Sequence, residues 1–182
     1  PRGTDVYTVG FPGLGDQFTG RANLNVSIYG GTLSLTVENA SGVRIIFCFT
    51  FHGMNGVEWD KSPYNQANGG PCARPQEFLT DGRAKRQFKR LLSYAAARWG
   101  SSPALLSWEL MNELDLARYD NPEDTVAWTR EMAGHVRHAD VHGHLVTVST
   151  IHPQFQPEMW QDPRIDFVSI HGYSRDVASV VE

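Results

Sequence analysis

Leu105-Leu106-Ser107-Trp108-Glu109-Leu110-Met111-Asn112-Glu113-Leu114-Asp115 is the stretch on which the reading turns. Its first part, residues 105–111, is short and apolar and reads as a strand covered on both faces, as in a parallel sheet. Its second part is polar and acidic. A carboxyl group at the C-terminal end of such a strand stands where α/β folds build their active sites.

The flanks supply the partners that a parallel strand needs. Residues 43–51, rich in Ile, Val and Phe, read as a second buried strand, and residues 145–149 and 165–170 as two more. Between the first two lie a long loop over residues 53–79 and then a helix. Loops of that length are usually functional or disordered. Thr80 is the expected helix cap, Asp81 suits the first turn and Gly100 the end. Ala84, Phe88, Leu91, Leu92, Ala95 and Trp99 fall on one helical face, and Arg83, Lys85, Arg86, Lys89 and Arg90 largely on the solvated remainder. Asn121, Pro122 and Asp124 form a second helix start, followed by a buried stripe of Val126, Thr129, Met132, Ala133 and Val136. Strands alternating with helices predict a parallel α/β architecture. The pattern alone fits either an open doubly wound sheet or a barrel.

Bulk composition is that of one globular domain: 182 residues, 41% hydrophobic and 20% charged. A net charge of −4 without a basic stripe argues against nucleic acid as a partner, and no apolar run is long enough to span a membrane. Cys48 and Cys72 permit at most one disulfide. His135, His138 and His142 are spaced to share a helix face, with His144 nearby, but no acidic ligand lies in that cluster. Neither a metal nor another cofactor is expected. Residues 1–30 read mainly as loop, and both ends of the chain look cut, so the sequence reads as a piece of a longer domain. An incomplete sheet of that kind has open edges and is expected to unfold without a sharp transition.

A general acid must hold its proton at neutral pH, which requires burial or a neighbouring negative charge. Glu113 is the candidate for that role, with Asn112 as an amide donor to a substrate hydroxyl. Position alone allows a second reading, in which Glu113 caps a helix or pairs with an arginine. Adjacent residues on a regular strand point to opposite faces, so both can reach one ligand only if the strand bulges or ends there. Such an irregularity is predicted. Glu109 would lie roughly 13 Å from Glu113 along a regular strand and reads as a buried structural carboxylate. Trp108 has the parity of core packing against helices.

Residues 107–115, together with 43–53 and 168–173, resemble the clan A glycoside hydrolases, and most of all the family 5 cellulase and mannanase-type enzymes. Tyr64-Asn65-Gln66-Ala67-Asn68-Gly69-Gly70-Pro71-Cys72, leading into Phe78-Leu79-Thr80-Asp81, looks like a cellulase-like branch. The resemblance covers residues 43–175. It implies a partial (β/α)8 TIM barrel containing about the third to sixth strands, with N- and C-terminal strands missing. Carried onto this chain, it makes Glu113 the acid/base and Asn112 the residue that holds the sugar 2-hydroxyl. It makes His52 a third-strand histidine lining the sugar subsite, and His171 and Tyr173 the sixth-strand pair. Trp59, in the long loop, is the aromatic side chain suited to stacking on a sugar ring.

The implied function is retaining hydrolysis of a β-linked polysaccharide, mannan or glucan, with an oligo- or polysaccharide as the only expected partner. Two departures accompany it. The glutamate that the resemblance assigns as nucleophile has no counterpart among the 182 residues, so this piece alone is expected to be inactive. Residues 25–37 contain Gly30-Gly31 and β-branched residues where the family has a helix, and the second-strand arginine is missing unless Arg2 is its remnant. A non-catalytic carbohydrate-binding or pseudoenzyme barrel fragment is the alternative.

Overall fold

The computed structural model describes residues 44–172. Tyr173, Arg2 and the divergent residues 25–37 lie outside the described residues. Among the described residues, five strands and three helices follow one another: β1 (Ile45–Cys48), α1 (Gly82–Trp99), β2 (Leu105–Glu109), α2 (Pro122–Ala139), β3 (Leu145–Thr147), β4 (Ser149–Thr150), α3 (Pro157–Trp160) and β5 (Ser169–Ile170). β1, β2 and β3 form a parallel sheet in that spatial order, and β4 and β5 form a parallel pair.

The two sheets are one ladder interrupted at Val148. Leu110 N donates to Thr147 O (2.9 Å) and Ser149 N to Met111 O (3.1 Å), so the chain of β3 and β4 stays beside the end of β2. On the other side, Asp166 N reaches Val146 O and His171 N reaches Thr150 O, both at 2.9 Å. With β3 and β4 counted as one run, strands consecutive in sequence are thus neighbours in space, each reached through a crossover that contains a helix. The α/β class with parallel strands is as the sequence predicts. The strands are shorter than predicted at their ends, because isolated hydrogen bonds replace the regular ladder there.

The helices form where their caps and apolar faces dictate. Asp81, not Thr80, caps α1: its carboxylate accepts from Arg83 N (2.7 Å) and Ala84 N (3.0 Å). Thr80 instead closes the 3-10 turn Pro75–Leu79, its N–H bound to Glu77 O. Gly100 ends α1 in right-handed backbone geometry, so it is not there for a left-handed turn. A Cβ at that position would lie 2.5 Å from Ala96 O, so close packing is what demands glycine. Asn121 caps α2 through Glu123 N, with Pro122 in its first turn.

Ala84, Phe88, Leu92, Ala95 and Ala96 face the core from α1, whereas Leu91, expected inside, is exposed. α2 contributes Thr125, Trp128, Thr129, Met132, Ala133 and Val136, while Val126 is only half-buried. An aromatic cluster joins sheet to helices. Trp108 stacks on Phe49 (5.4 Å between centroids) and meets Phe47 edge-on, and Phe88 packs against Trp128 at 5.1 Å. No helix among the described residues is long and apolar enough to cross a membrane.

The long stretch after β1 is a chain of 3-10 turns, at His52–Asn55, Trp59–Lys61, Gln66–Asn68 and Pro75–Leu79. Asn65 organises it, donating to Trp59 O and accepting from Ala67 N, and Asn68 binds Asp60 O and Ser62 O. Buried Tyr64 packs edge-on against Phe78 at 4.6 Å. These bonds give the loop a defined shape without regular secondary structure.

Candidate active site

β2 leaves its ladder as the sequence predicts. Regular pairing ends at Glu109, resumes as a single parallel bridge between Phe51 and Asn112, and stops at Glu113, whose φ of 52° and ψ of 54° are left-handed. A glutamate in that region carries about 1–3 kcal/mol of backbone strain. Surrounding bonds hold it there. Asn112 N donates to Thr50 O (2.9 Å), His52 N to Asn112 O (3.1 Å), and Glu113 N to the Ser149 hydroxyl (2.9 Å).

Three of the side chains singled out from the sequence come together at this turn. The Glu113 carboxyl is almost wholly buried, 6% exposed, between two imidazoles. His171 Nδ1, at the end of β5, is hydrogen-bonded to Glu113 Oε1 at 2.9 Å. His52 Nδ1, just after β1, lies 3.3 Å from Glu113 Oε2, in a contact that falls short of hydrogen-bond geometry. Both imidazoles are more open than the carboxyl, at 30% for His52 and 18% for His171. A carboxyl so placed can hold or release a proton next to ring nitrogens able to give or take one.

Asn112 is half-buried, and its amide points toward the Ser149 hydroxyl at 3.4 Å. Trp59 opens its own 3-10 turn and is half-buried, packed against the core.

Two residues of the cluster went unread as site components. Glu109 is buried beneath Glu113, and the Ser149 hydroxyl donates to its Oε1 at 2.5 Å. Burial raises the Glu109 carboxyl above the ordinary glutamate range, and the Glu113 charge adds to this. The Ser149 hydroxyl, His171 and the Asn112 amide pull the other way without reversing it. The simple strand estimate kept Glu109 and Glu113 far apart, yet one serine oxygen touches the carboxylate of the first and the backbone of the second. No sequence signal marks Ser149, which is a small polar residue at the start of a short strand.

Other acidic and histidine groups are engaged away from the cluster. Asp115 accepts from Ile151 N, His152 N and His152 Nδ1, fastening the turn after Glu113 to the segment after β4. His135 Nε2 contacts Ser93 Oγ and Lys89 O, and His144 Nδ1 contacts Asp140. Among the described residues, no group of three or more His, Cys, Asp or Glu side chains has the geometry to hold a metal ion. Cys48 and Cys72 are both buried free thiols.

Fold and cluster define a class: a parallel α/β chain with a buried carboxyl group and paired imidazoles at the carboxyl ends of its strands. Comparison with known proteins gives that class its relatives. No family model matches the chain. The chain is 26% identical over 172 residues to mannan endo-1,4-beta-mannosidase 7 of Arabidopsis thaliana, a match covering 77% of this chain and 38% of that protein. It is 31% identical over 73 residues to mannan endo-1,4-beta-mannosidase A of Podospora anserina, covering 40% of this chain and 19% of that one. Among solved structures, the endo-beta-1,4-mannanase from Thermotoga petrophila shares the fold, with a TM-score of 0.55 at 19% identity over 71% of this chain and 34% of that one. The chain therefore spans about two-fifths or less of the length of these relatives. They are mannanase-type glycoside hydrolases, the group that the residues themselves resemble.

Proposed function

We propose that the protein carrying this chain is a retaining glycoside hydrolase of β-linked polysaccharide, with β-mannan as its substrate. The observation that carries the reading is Glu113: a buried carboxyl in a strained turn at a strand end, contacted by His52 and His171. The relatives named as mannan endo-1,4-beta-mannosidases support mannan over glucan. In this reading β1, β2, the β3–β4 run and β5 are the third to sixth strands of an eight-stranded barrel, within a single catalytic domain.

In the reaction Glu113 gives its proton to the glycosidic oxygen as the bond from that oxygen to the anomeric carbon breaks. A second carboxylate attacks the anomeric carbon from the other face, forming a glycosyl-enzyme. Glu113 then takes a proton from water, and the water oxygen displaces the enzyme carboxylate. Asn112 holds the 2-hydroxyl, while His52, His171 and Tyr173 line the sugar subsite and Trp59 offers an aromatic face to a neighbouring ring. Glu109 is committed to Ser149 and does not serve as the attacking group, so the 182 residues alone are expected to bind glycan without turning it over.

The test is hydrolysis of β-mannan and β-glucan by the complete protein, with NMR of the first-formed anomer. Retention of configuration on mannan, lost in Glu113→Gln, is the expected result. Full turnover by Glu113→Gln would remove the acid/base assignment. Glycan binding without turnover by the complete protein would leave a non-catalytic carbohydrate-binding barrel.

A further inference from the structure

The geometry points to Ser149 as the positioning residue for Glu113, acting through a single hydroxyl that ties the Glu113 backbone to the buried Glu109 carboxylate. The inference rests on the acid/base reading of Glu113 and extends it to a residue and a mechanism of support.

Three observations converge on that oxygen. The left-handed turn takes Glu113 N–H out of the sheet ladder and leaves it to be satisfied by a side chain. The Ser149 hydroxyl supplies the acceptor at 2.9 Å, inside the protein. A hydroxyl has one proton and two lone pairs. With its proton given to Glu109 Oε1 at 2.5 Å, its lone pairs face Glu113 N–H and, at a longer 3.4 Å, the Asn112 amide. Glu109 thereby fixes which way the hydroxyl points. Ser149 is itself held in place, its N–H bound to Met111 O.

The consequence is directional. Loss of the hydroxyl takes away the acceptor that Ser149 offers to a buried N–H, at a residue whose backbone is already strained. The turn then relaxes, and the carboxyl shifts relative to His52 and His171. Proton donation suffers most, because it depends on where that carboxyl stands. Steps that need no proton suffer least. A residue of merely structural importance would depress all substrates together.

That difference is measurable in the complete protein as kcat/KM on two substrates, a β-linked polysaccharide and an aryl glycoside whose dinitrophenolate departs unprotonated. Ser149→Ala is expected to lower the polysaccharide value roughly tenfold and the aryl glycoside value by less than about twofold. Ser149→Thr, which keeps the hydroxyl, restores the polysaccharide value to within about threefold. Ser149→Cys has nearly the serine volume and only a weak acceptor. It gives the same split at smaller size and carries the test if the alanine variant fails to fold. Equal losses on both substrates, or no loss on either, overturn the inference. Glu113→Gln in the same assay keeps the two proposals apart: undiminished polysaccharide turnover would sink the acid/base reading, whereas its loss alongside an unsplit Ser149→Ala result sinks only the role of Ser149.

Discussion

The two halves of the β2 segment obey different rules. From Ser107 to Glu109 the chain is a regularly paired strand, and Trp108 leaves its face to lock the sheet onto the helices. Its indole N–H reaches Asp140 Oδ2 at 2.9 Å, and its ring stacks on Phe49. From Leu110 to Glu113 the ladder frays, the backbone turns left-handed, and the side chain that emerges is a buried carboxyl between imidazoles. The lower half converts apolar area into stability. The upper half accepts strain to place one group. A strand can serve both purposes because its pleat ends between them.

Each half can be broken separately, and the largest expected effect belongs to the upper one. In the complete protein, Glu113→Gln should reduce polysaccharide turnover by about 10²–10⁴-fold while the thermal midpoint stays unchanged or rises. A fall in stability that matched the fall in activity would mean that the carboxyl is structural. In the lower half, Trp108→Ala should cost about 3–5 kcal/mol in denaturant unfolding, since its ring is fully buried. Asp140→Asn should cost about 1.5–3 kcal/mol, the range for hydrogen bonds to a charged group.

The two buried carboxylates that flank this strand also predict opposite pH slopes. For Asp140, burial alone would raise the pKa, but hydrogen bonds from the Trp108 indole and from His144 and His142 outweigh it and hold it low. Its stabilisation is therefore present above the unfolded carboxylate pKa of about 3.9 and is lost as pH falls through the lower folded value. Glu109 is raised by burial. Its contribution is present below the unfolded value of about 4.3 and is lost as pH rises through the folded value. Unfolding free energies measured across acidic pH should thus fall less steeply at low pH in Asp140→Asn, the rest of the fall coming from Asp162, Asp81 and Glu131, whose carboxyls are also held low. In Glu109→Gln the free energies should lose their decline above about pH 4.3. Identical slopes in the two variants would refute the contrast. The smallest effect is expected at the exposed Arg74–Asp120 pair, 2.7 Å apart. Arg74→Ala should change stability by less than about 1 kcal/mol.

Some of this organisation was legible from local sequence. The Asn121-Pro122 start of α2 was, because a cap and a proline act within one turn. The burial and parity of Trp108 followed from strand alternation. The irregularity at Asn112 and Glu113 followed from the requirement that neighbours share a ligand. Thr80 and Asp81 were harder, since both are good caps and only the preceding 3-10 turn decides between them. Leu91 lies at helical spacing on the apolar face but at its edge, and α2 does not cover it. The roles proposed for His52 and His171 came from resemblance to a family, because single histidines at strand ends look alike whether they serve a core or a site, whereas Glu113 stood out by its place at a strand end.

The sequence by itself determined the main strands and the two long helices, and which strand ends in a carboxyl group. Caps, periodicity and β-branched runs act over a few residues, so they need no fold to be read. Only the tertiary structure decided that Ser149, 36 residues beyond Glu113 and 40 beyond Glu109, joins the two glutamates, and that His171, 58 residues on, meets the Glu113 carboxyl. Those contacts depend on the register of parallel strands across helical crossovers, and register is fixed by the packing of the whole sheet rather than by any local pattern.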